Sequence, residues 1–190
     1  MTKKTSAQKN RGITLIEALI STTLFSVVML ISIGALISVS DSNRKSEITR
    51  TVMDNLNLAM ESMARNLRVG YDYHCNVDFT PVTSPSDCIS GASSIAFEGY
   101  KGTGSSADQI IYRLNNGQIE RSIDGGGIYI PLTSPELSID NLLFYVTGAL
   151  PGDGAQPRVV IVLSGSATFK GAIKTEFKLQ TTISQRRIDS

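Results

Sequence analysis

The chain has little of what catalysis at a histidine or a metal requires. Its single histidine is His74, and its only cysteines are Cys75 and Cys88. A structural zinc site needs four ligands, and these three residues fall short, two of them being adjacent in sequence. The chain contains no H-E-x-x-H, no G-x-S-x-G and no P-loop. It also lacks an excess of positive charge outside its first residues. Lys3, Lys4, Lys9 and Arg11 lie within residues 1–12, which carry no acid. Beyond them stand 14 basic and 17 acidic residues, a formal −3 within an overall +1. Phosphate binding needs clustered Lys and Arg, so a slightly acidic body gives no support for nucleic acid as the main partner. The closing Arg186-Arg187 reads as a solvated tail. No enzyme activity and no cofactor are expected.

What is there is a long apolar run. Ile13 to Val39 are 27 residues with one charge among them, Glu17. As a helix rising 1.5 Å per residue they span about 40 Å, against the ~30 Å that a bilayer core requires. The basic leader stays on the cytoplasmic side by the positive-inside rule, which puts the body outside the cytoplasm. A removable secretory signal is the rival. Its apolar core is only 7–15 residues long and is followed by a small-residue cleavage site. Here the core is longer, and the small residue next to charge, Gly12, precedes it.

Residues Asp41 to Val69 continue the helix amphipathically. Ile48, Val52, Leu56, Met60, Met63 and Leu67 make one apolar stripe, read as core packing, and Gly70 is a suitable stop. Gly34 costs about 1 kcal/mol inside the helix without imposing a proline kink. Residues 13–69 would be about 85 Å long. Segment 71–91, rich in Asp, Ser, Pro and Asn, reads as a loop. It contains both cysteines, and in an extracytoplasmic domain such a pair points to a disulfide, with two free thiols as the alternative.

Strand signals follow. In "DQIIYRLNNGQIERSID" the Asn116-Gly117 dipeptide is a strong hairpin signal. It pairs Leu114 with Ile119, Tyr112 with Arg121 and Ile110 with Ile123 on a core-facing side, and Arg113 with Glu120 on the other. Further runs are Ile128–Leu132, Leu142–Thr147, Val159–Ser164 and Thr175–Ser184. The last alternates, with Phe177, Leu179, Thr181 and Ile183 on one face. "GTGSSA" at Gly102–Ala107 reads as a turn and not as a dinucleotide loop, because no helix pattern follows it. The turns at Asp124 and Asp153 could ligate calcium but lack the EF-hand pattern and read as hydrated turns. The fold class is α+β, a long helix followed by antiparallel sheet.

The string "RGITLIEALIS", with its basic leader and long apolar helix, resembles the processing site of the type IV pilin superfamily. The resemblance implies cleavage by a prepilin peptidase after Gly12, N-methylation of the new first residue Ile13, and an assembly role for Glu17. The order of "IIYRLNNGQIERSI", "LTSPELSIDNLLFYV", "PRVVIVLSG" and "FKLQTTISQRR" is similar to the minor-subunit branch, which includes J-type pseudopilins of type II secretion and W-type minor pilins. The organisation implied is a cleaved leader at 1–12, a transmembrane and filament-core helix at 13–40, its amphipathic continuation at 41–70, and a globular head at 71–190, together a pilin-like lollipop. The protein would sit in the inner membrane as a single-pass subunit with its head outside, and then in a pilus or pseudopilus. Its partners would be other pilin-type subunits, the peptidase, the assembly platform and, before assembly, membrane lipid. The alternatives are a pilus-tip binding or DNA-uptake module, and an ordinary membrane-anchored extracytoplasmic protein.

Overall fold

A computed structural model describes residues 12–75, 84–169 and 173–186. Residues 1–11 of the leader, residues 76–83 of the Cys75–Cys88 segment and Arg187 lie outside them. The chain divides into two compact units between Ser46 and Glu47.

The first helix, α1, runs from Leu15 to Val69 without interruption at Gly34. In the first unit its apolar side chains are exposed from Ile13 to Val39, and α1 is long and apolar enough to cross a membrane. Four of the hydroxyls within this stretch find their partners inside the helix. Those of Thr22, Thr23, Ser26 and Ser32 donate to carbonyls four residues back, at 2.8–3.0 Å. In a medium without water, that internal pairing removes the penalty for a bare hydroxyl.

In the second unit α1 buries Ile48, Val52, Leu56, Ala59, Met63 and Leu67. Met60, expected on this stripe, is only half-buried. A run of strict fours drifts off a 3.6-residue period, and the step of three to Ala59 corrects it.

The end of α1 is held by named donors. Gly70 N–H donates to Asn66 O at 2.9 Å and Arg186 N–H to Arg68 O at 2.8 Å. The Tyr73 hydroxyl lies 2.6 Å from Leu67 O and 2.7 Å from Gly70 O. These are carbonyls that a helix end otherwise leaves unpaired. Gly70 is required for room, since a Cβ there would collide with the Phe97 ring.

Among the described residues, nine strands form two antiparallel sheets. One has the order β1 (Tyr71–Cys75), β3 (Ser94–Glu98), β4 (Ile110–Asn115), β5 (Gln118–Ser122), β6 (Ile130–Pro131). The other has the order β2 (Cys88–Ala92), β7 (Leu137–Thr147), β8 (Arg158–Phe169), β9 (Ile173–Ser184). The helical stripe and both sheets share one core, which includes Phe97, Tyr112, Ile119, Phe144, Ile161 and Leu163. Phe97 sits between Tyr73 and Tyr112, with ring centroids 5.8 and 6.0 Å away.

The hairpin has the expected register, with Leu114 opposite Ile119, Tyr112 opposite Arg121 and Arg113 opposite Glu120. Asn116 and Gly117 both take positive φ, 48° and 75°, as a type I′ turn requires. The expected Ile110–Ile123 pair does not form. β5 stops at Ser122 because the Ser122 hydroxyl accepts from Gly126 N–H and donates to Asp124 Oδ1, which turns the chain. Ile123 is left exposed. β9 buries Phe177 and Ile183 and exposes Lys178, Gln180 and Thr182, the alternation read from its sequence.

Two further expectations are corrected. The segment 71–91 is not simply a loop, since it opens with β1 and closes into β2. β1 has a register shift between Tyr71 and His74, and Asp72 within it has φ of 54°. Tyr73 and His74 are buried in succession, so no alternation is visible in the sequence. The run Ile128–Leu132 contributes only the exposed two-residue β6.

Candidate processing and assembly site

Gly12, Ile13 and Thr14 precede the first helical residue and are exposed. A Cβ on Gly12 would meet nothing within 4 Å. The Gly12–Ile13 bond therefore lies in open, non-helical backbone, as a peptidase needs. Glu17 stands in the first turn of α1, where the positive helix end favours a carboxylate. The Thr14 hydroxyl accepts from Glu17 N–H at 3.4 Å. Thr14-Leu15-Ile16-Glu17 thus has the spacing of a capping box, a signal that the four consecutive residues carry in the sequence itself.

Cys75 and Cys88 form a disulfide across 13 residues of sequence. The bridge joins the end of β1 to the start of β2 and so ties one sheet to the other. Both sulfurs are consumed by it. Burial pushes the His74 imidazole down, while Asp72 O, 3.3 Å from Nδ1, and the Asp72 charge pull it back. With Nδ1–H donating to that carbonyl, Nε2 is left buried without a partner. His74 is thereby a core residue, and burial disfavours its charged form.

The turn carboxylates weighed as calcium ligands are occupied by their own backbone. Asp124 Oδ1 accepts from Ile128 N–H at 2.9 Å, and Asp153 Oδ1 from Ala155 N–H at 2.7 Å. These are hydrogen bonds that close turns. Gly102–Ala107 lies in the connection between β3 and β4, with no helix among its residues. One buried carboxyl had no sequence signal at all: Glu98, at the end of β3, is 1% exposed. It stands outside the processing segment.

Residues 7–37 match the model of the prokaryotic N-terminal methylation motif. The match spans Gly12, Ile13 and Glu17 together with the exposed apolar part of α1, and makes the N-terminus a type IV pilin-like signal of a prepilin-peptidase substrate. No curated protein and no solved structure matches this chain.

Proposed function

We propose that the chain is a minor pilin or pseudopilin, a structural subunit of a type IV pilus or type II secretion pseudopilus. It is processed by prepilin peptidase at the inner membrane and assembled there. The observation that carries this reading is the methylation motif seated on an exposed apolar helix, with open backbone at Gly12–Ile13 and an acid in the first helical turn. The α+β head with its disulfide fits a subunit that works outside the cytoplasm. In this reading the chain performs no catalysis. Ile13 becomes the methylated N-terminus, and residues 13–40 pass from lipid into a filament core.

Intact-mass measurement of protein extracted from membranes tests the processing step. Loss of residues 1–12 with gain of one methyl group is expected. A mature N-terminus near residue 40, or a retained leader, overturns the proposal.

A further inference from the structure

The two sheets have four edge strands, and three of them are blunted. β1 carries a register shift and a positive φ at Asp72. β6 is two residues long and ends in Pro131. β2 has five residues, a register shift and a positive φ of 77° at Gly91. Bulges, prolines and short length protect an edge against pairing with another chain. β9 has none of them. Its 12 residues contain no proline or glycine. They pair with β8 in one unbroken register, from Ile173 opposite Phe169 to Ser184 opposite Arg158. Among the described residues no strand lies on its other side.

The parity of the ladder fixes which backbone groups this edge presents. Gln185 N–H donates to Pro157 O at 2.9 Å, one step beyond the Arg158–Ser184 pair. Bonded and non-bonded pairs alternate along an antiparallel ladder. The odd-numbered residues of β9 therefore bond to β8, and Glu176, Lys178, Gln180, Thr182 and Ser184 turn their N–H and C=O groups outward. The side chains of the same five residues are exposed. On the core face the row is open as well. Leu179 and Thr181 are half-buried, whereas Leu163 and Ile161, their partners on β8, are completely buried. The core continues to this edge and stops there uncovered.

We propose that the free edge of β9 takes an extended segment of a partner protein as a fifth, antiparallel strand of the four-stranded sheet. Main-chain hydrogen bonds to the outward groups supply affinity, and alternate side chains supply specificity. The core-facing residues of the segment are apolar, since they cover Leu179 and Thr181. On the solvent face Lys178 calls for an acid opposite and Glu176 for a base. Read from the N-terminus of an antiparallel segment, that is acid, apolar, base. A whole second copy is the poorer occupant, although its own Glu176-Phe177-Lys178 has this pattern. β9 runs beside α1 in the same direction. Arg186 N–H meets Arg68 O at one end, and at the other Ala167, opposite Thr175, lines a cleft with Ile48 and Val52. Antiparallel pairing of two copies would turn their helices opposite ways, which two chains held by one membrane cannot do. The free edge is independent of the pilin reading, and only the choice of a partner over a second copy rests on membrane anchoring.

The test uses the full chain in detergent micelles. The probe is a fluorescently labelled peptide of residues 173–181, IKTEFKLQT, which has the required pattern. Its anisotropy is expected to saturate with the wild-type chain. Exchanging Glu176 and Lys178 within the peptide sets like charges against each other across the new pair, and should weaken binding at least ~3-fold. In the chain, Lys178→Pro removes one outward N–H and spares the bonds to β8, a position at which an edge strand tolerates proline. It should bind the peptide at least ~10-fold more weakly than Lys178→Ala, with a similar urea midpoint. Residue-resolved hydrogen exchange of the wild type needs no variant. The peptide should slow exchange at the amides of Lys178 and Gln180 and leave those of Leu179 and Thr181, already bonded to β8, unchanged. No saturable binding, equal binding by Lys178→Pro and Lys178→Ala, or no protection of Lys178 and Gln180 overturns the proposal. So does a dimer of the chain that sediments as such without peptide and is broken by Lys178→Pro, because the occupant is then a second copy.

Discussion

Tyr73 shows how one side chain completes a helix that its own sequence cannot close. Its hydroxyl reaches two carbonyls at the end of α1, and burial pushes the phenol up, so it remains a proton donor throughout the physiological range. Tyr73→Phe keeps the ring packing on Phe97 and strips those carbonyls of their donor. A buried acceptor left without a partner costs about 1–3 kcal/mol. The variant is expected to unfold at a lower urea midpoint with an unchanged slope, and a midpoint equal to the wild type would mean that water replaces the hydroxyl. Nothing in "YDYHC" announces this bond, because it joins residues through the fold and not through local spacing. The Thr14–Glu17 cap is the opposite case, since its spacing is written in four consecutive residues. Glu98 was illegible for the same reason as Tyr73: a glutamate ending a short strand looks like a surface residue until the following loop folds over it.

Elements were legible where local chemistry decides them. The Asn116-Gly117 turn needs positive φ at both positions, and those two residues supply it, so the β4–β5 register follows from sequence. β7, β8 and β9 are long, and they run beyond the apolar stretches that announce them because backbone pairing continues past the core. β1 and β2 were not legible. Each has five residues and lies at a sheet edge, and each owes its position to its neighbour and to the Cys75–Cys88 bridge. That bridge is the covalent tie between the sheets. In the chain-entropy model, closing a loop of this length contributes about 3 kcal/mol. Replacing both cysteines by serine should lower head stability by about that amount in urea unfolding. Wild-type stability in the double variant would mean that the core alone holds β1 and β2 in place.

At the scale of the whole molecule, the question is why the otherwise apolar stretch Ile13–Val39 carries Glu17. In a bilayer a charge near the edge can reach the headgroups, and the helix N-terminus favours it there. That accounts for tolerance of the carboxylate and gives it no use. In a filament core made of packed helices no headgroup is within reach, and an unpaired carboxylate is costly. Cleavage after Gly12 would create a free amine at Ile13, and the same amine on a neighbouring subunit is the natural counter-charge. The pairing would set the axial offset between adjacent helices. The capping box offers a competing role, because Glu17 stands three residues after Thr14 and its removal could fray the first turn. Two substitutions separate these roles. Glu17→Gln retains the capping geometry and loses the charge, and Glu17→Ala loses both. If the charge pairs with an amine, both variants insert and are processed like the wild type, yet both are poorly recovered in sheared filaments and in cross-linked subunit complexes. If only the cap matters, Glu17→Gln assembles normally and Glu17→Ala does not. Wild-type recovery of both would remove any assembly role from this carboxylate.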